Sequence, residues 1–309
     1  MDFLVNWLAG IPAFAVPFAL ATLGLIITEK SGVLSLGAEG YMLVGAMAGV
    51  GASFSLGLPA EAALLVAALA ASAVSLLFAL LVIVLRINQV IAGLAIVFFC
   101  QGLTSLIATQ RGWTNKMIGG LQPLPLGPLA EIPVIGRILF AQDIVVYLTV
   151  PVFLTAVLVM NRTMFGLKMR SVGENPEAAD AAGLNVAWYR LLAVIAGAAL
   201  VGLAGGYLSV AVAKIWVDGM SGGRGWIAVA LVIFARWQPW RALAGAILFG
   251  CIEALIPRVA ALGIQVPQYF MLMTPYLATL AVMIWTSRSG AASRQPAALG
   301  LPHVREERR

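Results

Sequence analysis

The sequence predicts an all-α, polytopic integral membrane bundle of about nine transmembrane helices, with a range of eight to ten. Three observations carry that prediction. Hydrophobic residues make up 61% of the 309-residue chain and charged residues 10%, against roughly 25% charged in a soluble globular domain. The apolar residues fall in long runs, and about 20 such residues are what a helix needs to cross a ~30 Å hydrocarbon core. All eight tryptophans (Trp7, Trp113, Trp188, Trp216, Trp226, Trp237, Trp240 and Trp285) stand at or near the ends of those runs, where an amphipathic ring suits the membrane–water interface.

The first span is Phe3 to Thr28. It is not read as a signal peptide, because Asp2 is its only charged side chain before Glu29 and a basic leading region is missing. Glu29-Lys30-Ser31-Gly32 leads to a Gly-rich second span, Val33 to Phe54. Leu58-Pro59 breaks the chain before a third, Ala60 to Leu85. Arg86-Ile87-Asn88-Gln89 separates it from a fourth, Val90 to Thr109. Gln110 to Gln142 is too rich in Pro, Gly and polar residues to cross and is expected as an external loop. Ile144 to Met160 and Leu191 to Ala213 are the fifth and sixth spans. A Gly-rich turn, Ile215 to Gly225, precedes the short Trp226 to Ala235, counted as the seventh. Ala242 to Ile256 is the eighth, a loop begins at Pro257, and Tyr269 to Trp285 is the ninth. Residues 1–287 form one transmembrane domain, and residues 288–309 a basic, Pro-containing tail expected to be disordered.

Charge orients this topology. Lys30, Arg86, Arg162, Lys168, Arg170, Arg190, Arg236, Arg241 and the five tail arginines, 13 of the 19 basic residues, lie on one side. Arg111, Lys116, Arg137, Lys214, Arg224 and Arg258 lie on the other. The positive-inside bias puts the first set in the cytoplasm and the N-terminus outside. The net charge of +6 is scattered between spans, which fits contact with anionic membrane lipid and not nucleic-acid binding. Cys100 and Cys251 lie in apolar runs, as core packing residues do, and suggest neither a disulfide framework nor a metal site.

Asn161 to Arg190 is a charged interruption in this apolar sequence. Asn175 can cap a helix, Pro176 is pre-set for its first position with Glu177 next, and Gly183 can close it in the left-handed conformation. Asn175 to Gly183 is therefore expected as a helix of about two turns, marginal in water unless something holds it.

An internal motor is excluded. A phosphate-binding GxxxxGK[ST] loop is missing: only Lys30 of the four lysines precedes Ser or Thr, and Glu29 stands where that loop needs Gly. HExxH and CxxC are missing too, and His303 is the one histidine. Two motifs stand out instead. Glu39-Gly40-Tyr41 and Arg224-Gly225-Trp226 share the pattern charge, Gly, aromatic, apolar run, and the two segments cross in opposite directions. That suits inverted repeats with interrupted helices beside a central pathway. Each charge can equally snorkel to head groups. Asn88, Gln89, Gln101 and Thr104 either line a polar pathway or hydrogen-bond between helices.

Glu177-Ala178-Ala179-Asp180-Ala181-Ala182-Gly183 resembles the EAA-x3-Gly coupling signature of bacterial ABC importer permeases. MRSVGENPEAADAAGLNV (169–186), SLGAEGYMLVGA, GGRGWIAVALVIFARWQPW and MTPYLATLAVMIW are similar to the branched-chain amino acid and simple sugar permease family, in its nucleoside-type subunits. Ala235 departs from the Gly frequent there. The resemblance runs from Leu34 to Trp285. It implies a multi-pass permease of the bacterial inner membrane that is not itself an enzyme and binds no cofactor. ATP-Mg would act through a partner ATPase, beside a second permease, commonly a different chain, and an extracytoplasmic binding protein or lipoprotein. Asn175, Pro176, Glu177, Ala178, Ala179 and Gly183 would form the ATPase-coupling helix, flanked by Lys168 and Arg170. Glu39, Tyr41, Asn88, Gln101, Arg224 and Trp226 are the candidates for the translocation pathway. A nucleoside is the expected solute, with simple sugars and then branched-chain amino acids as alternatives. An ion-coupled carrier using Glu39 is the alternative from another class.

Overall fold

The computed structural model describes residues 2–132, 134–261 and 294–303, with positions 273, 277, 280, 281 and 284. Among these the protein is helical, apart from one isolated parallel bridge between Thr114 and Trp216. The helices are α1 (Asp2–Lys30), α2 (Ala38–Ser55), α3 (Ala60–Ala79), α4 (Gln89–Arg111), α5 (Ile144–Arg162), α6 (Met164–Glu174), α7 (Pro176–Ala181), α8 (Val186–Tyr207), α9 (Arg224–Ala235) and α10 (Pro239–Ala261). Wider π-type turns, Leu80–Val84 and Leu208–Ala213, extend α3 and α8.

α8 is the centre of the bundle and packs on α1, α2 and α3, while α1 also lies against α9 and α10. Small residues make this possible. A Cβ at Gly45 of α2 would collide with the Gly202 carbonyl of α8, and one at Gly205 with the Met42 carbonyl. Lipid is as apolar as a side chain, so close backbone packing supplies the attraction that hydrophobicity gives in water. α2 is buried along most of its length. α3, α4 and α5 instead show leucines and phenylalanines on their outer faces, among them Leu65, Leu69, Phe98 and Leu148.

Six helices among the described residues are long and apolar enough to cross a membrane: α1, extended α3, α4, α5, extended α8 and α10. With α2 and α9 these six occupy eight of the nine expected segments. α2 fills the second expected segment. α9, at 12 residues, rises only about 18 Å, so it is an interrupted helix and not a crossing. The Tyr269–Trp285 segment lies largely outside the described residues. Pro257, expected to start a loop, sits inside α10, which continues to Ala261.

Two tryptophans also depart from the interfacial reading. Trp216 is fully buried and Trp237 nearly so. Each is held by the fold: the Trp216 carbonyl accepts the Asn115 N–H at 2.9 Å, and the Trp237 indole N–H donates to Glu29 Oε2 at 2.6 Å. The tail, expected to be disordered, is placed over residues 294–303, where its N–H groups at Ala298 and Gly300 donate to Gly173 and Gly32.

Candidate functional site

α9 begins inside the bundle, so its first N–H groups need acceptors that water would otherwise supply. Glu39 supplies them. Its Oε1 accepts from Ser221 Oγ at 2.6 Å and from the Gly223 N–H at 2.9 Å, and its Oε2 accepts from the Gly225 N–H at 2.8 Å. A carboxylate at a helix N-terminus is favoured both by these donors and by the helix dipole. The approach depends on glycine: a Cβ at Gly225 would stand 2.5 Å from Glu39 Cα and N. The two motifs singled out in sequence thus meet head to head, and Glu39 is buried in protein instead of snorkelling.

Arg224, one residue before, turns to α10. Its Nη2 and Nε donate to Glu253 Oε2 at 2.7 and 3.1 Å, and its Nη1 donates to the Met220 and Ser221 carbonyls. Glu253 is buried, whereas the Arg224 side chain keeps 23% exposure. Glu39, Arg224 and Glu253 form a charged row at the break before α9. The sequence reading missed Glu253, although the signal was available, since it is an isolated carboxylate within an apolar run. Glu29 at the end of α1 is buried against Trp237 at the far end of α9.

The other pathway candidates are not gathered here. Tyr41 is buried with its ring edge on Phe78, centroids 6.5 Å apart, and its hydroxyl finds no partner among the described residues. Trp226 is half-buried on α9. Asn88 is exposed and caps α4, its Oδ1 accepting the N–H groups of Val90 and Ile91. Gln101 is exposed on the outer face of α4, and Thr104 bonds back to Cys100 of its own helix. Gln89 is buried and accepts the Leu34 N–H at 2.6 Å. Asn88 and Gln89 thus accept backbone N–H groups and Thr104 bonds within its own helix, while Gln101 is exposed.

A second feature lies at the end of the bundle that carries Lys30, Trp237 and the tail. α7 is capped as expected: Asn175 Oδ1 accepts the Ala178 N–H at 2.9 Å, Pro176 is its first residue, and Gly183 closes it at φ +83°. Ala179 is buried with Val172 and Val186, which seats one face of α7 on the bundle. Glu177, Ala178, Ala181, Ala182 and Gly183 are exposed on the other. Lys168 and Arg170 are half-buried on α6. Arg190, counted as a loop charge, is buried at the start of α8 and donates to the Leu301 carbonyl at 3.2 Å.

The family described as branched-chain amino acid transport system / permease component matches residues 8–284. A putative glucose ABC transporter permease of Haloferax volcanii is 38% identical over 92% of this chain and 92% of its own. A guanosine ABC transporter permease of Bacillus subtilis is 33% identical over 96% of this chain and 95% of its own. A nucleoside ABC transporter permease of Lactococcus lactis is 30% identical over 87% and 88%. No solved structure matches the chain. With a match that runs from the first turns of α1 to beyond α10, the chain belongs to the branched-chain amino acid transport system permease family, as a multi-pass membrane protein.

Proposed function

We propose that this ABC permease imports nucleosides, and that α7 is the helix through which a separate ATPase drives it. The observation that carries the coupling role is the exposed side of α7. A six-residue helix is too short to persist alone, yet this one is capped at both ends, seated by Ala179, and presents Glu177 and a patch of small residues outward. Such a patch suits insertion into a groove of a partner. The end bearing α7 would be cytoplasmic, in keeping with the positive-inside bias. ATP and Mg²⁺ would be held by the ATPase, and a second permease and an external binding protein would complete the importer.

The pathway would pass the break before α9, where Arg224, Glu253 and Trp226 combine an ion pair with a half-buried aromatic ring. Stacking on the ring and hydrogen bonds to the charged pair suit a flat, polar, uncharged base. The nucleoside assignment leans on the Bacillus and Lactococcus relatives. The Haloferax relative, at 38% identity, supports a second reading in which the solute is a hexose.

Uptake by the complete transporter in proteoliposomes separates the two. Labelled guanosine, uridine and glucose would be compared, with and without ATP. Uptake of a nucleoside that glucose does not compete with is expected, and glucose uptake alone would overturn the assignment. Replacing Glu177 and Gly183 together should abolish ATP-driven uptake, and transport that persists with the ATPase still bound removes the coupling role of α7.

A further inference from the structure

Arg190 is the most heavily buried arginine among the described residues, at 3% exposure. Its Nη1 donates to the Leu301 carbonyl, while Nε and Nη2 have no acceptor among the described residues. A guanidinium costs free energy to bury unless it is paired or hydrogen-bonded, so its partner here, a tail carbonyl 111 residues along the chain, is what compensates for its position. Three other chain segments converge beside it. A Cβ at Gly32 would lie 3.2 Å from Arg190 Nη2, 3.3 Å from Gly173 Cα and 3.4 Å from the Ala298 carbonyl.

The tail is tied to the ends of α1 and α6 and reaches α7. Gly300 N–H donates to the Gly32 carbonyl at 3.1 Å, and Lys30 Nζ donates to the Arg294 carbonyl at 2.7 Å, both at the end of α1. Ala298 N–H donates to the Gly173 carbonyl at 3.0 Å, and Ala297 N–H to Glu174 Oε2 at 3.2 Å, both at the end of α6. His303 Nε2 lies 3.9 Å from Asp180 Oδ2 on α7. Beyond α1 the connection continues, since Glu29 holds Trp237 just past α9, and α9 starts at Glu39 and Arg224.

We infer that residues 294–303 are a strap that positions α7 on the end of α1, with Arg190 as its buried anchor, so that movement of α7 reaches α1 and α9. The inference rests on α7 being the coupling helix. Arg190 is on this view a positioning residue, acting through the tail carbonyl and not on solute. Backbone hydrogen bonds and a desolvated anchor give the strap one register, which a loosely attached tail would not have.

The test uses the complete transporter in proteoliposomes and reads two quantities, ATP hydrolysed and solute taken up. Chains ending after Ser293, and the full-length R190Q and R190K variants, are compared with the unaltered protein. Truncation and R190Q should leave the ATPase bound and hydrolysing while uptake per ATP falls roughly tenfold, within the range expected along a coupling path. R190K, which still donates to a carbonyl, should recover part of the ratio. A fold defect lowers both quantities together and leaves their ratio unchanged, and that result overturns the strap. Loss of the ATPase from truncated complexes also overturns it, since the tail would then be a docking element. If truncation prevents insertion, R190Q alone decides by the same ratio. The Glu177 and Gly183 variants run alongside: if they keep uptake per ATP, the coupling-helix reading fails separately.

Discussion

Glu39 Oε2 accepts the backbone N–H of Gly225 at 2.8 Å, which joins the start of α2 to the start of α9. Oε1 takes two further donors, Ser221 Oγ and Gly223 N–H. Glutamine in this place keeps the shape but offers one oxygen and turns an N–H₂ group toward a donor. Hydrogen bonds to a charged group contribute about 1.5–3 kcal/mol each, so E39Q should lower stability by roughly 2 kcal/mol and E39A by more. Thermal unfolding in detergent, followed by loss of the monodisperse peak, measures this. An unchanged midpoint for both variants would mean that the carboxylate does not hold the α9 start.

Gly225 and Gly183 carry contrasting demands. At Gly225 a Cβ meets Glu39 backbone atoms 2.5 Å away, and backbone cannot yield as a side-chain tip can. G225A should therefore insert poorly or unfold at markedly lower temperature. Gly183 has open space around it but a φ of +83°. There alanine costs on the order of 1 kcal/mol through conformation alone, felt at the end of α7. Folded yield should thus drop for G225A and stay near normal for G183A, and equal yields would contradict the packing described.

Arg224 and Glu253 should behave as a unit. Removing one partner leaves the other charge buried and unpaired, a loss of roughly 3–5 kcal/mol in fully buried pairs, reduced here because Arg224 keeps 23% exposure. R224M and E253L are each expected to destabilise more than the double variant, whose apolar pair needs no compensation. A double-mutant cycle on thermal stability reads the coupling. Additive single effects would show that the ion pair contributes nothing beyond its separate residues.

Much of this arrangement was legible in the residues themselves. The Asn175-Pro176 start and Gly183 stop of α7 depend on local backbone rules, and they appear as expected. The shared pattern around Glu39 and Arg224 also pointed to two segments that do meet. What stayed hidden is long-range. Nothing local to Arg190 distinguishes a loop charge from a buried anchor, because its acceptor lies at Leu301. Trp237 looks like a membrane-interface ring until Glu29 is brought to it. Asn88 caps α4 and Gln101 is exposed on that helix, placements that their polar chemistry alone does not reveal. One segment counted as a span, α9, is a half-helix of 12 residues, a choice set by its neighbours and not by hydropathy.

His303 makes tail docking sensitive to pH. The ring is outside the spans, and its pKa lies below the ordinary value through partial burial and the nearby Arg190 and Arg86 charges. Asp180 and Glu177 on α7 oppose that shift without cancelling it. Asp180 at 3.9 Å is too distant to hold the proton against both. An undocked tail, with an unperturbed His near 6.5, therefore binds protons that the docked tail does not. By linkage, docking is fully stable above about pH 6.5 and weakens as pH falls through the lower docked value. Hydrogen exchange at the Ala298 and Gly300 amides, whose N–H groups bond to Gly173 and Gly32, follows this directly. Corrected for intrinsic rates, their protection should fall between about pH 7.5 and 5.5 in the unaltered protein and stay level in H303Q. A loss of protection that H303Q shares would assign the pH response to another group.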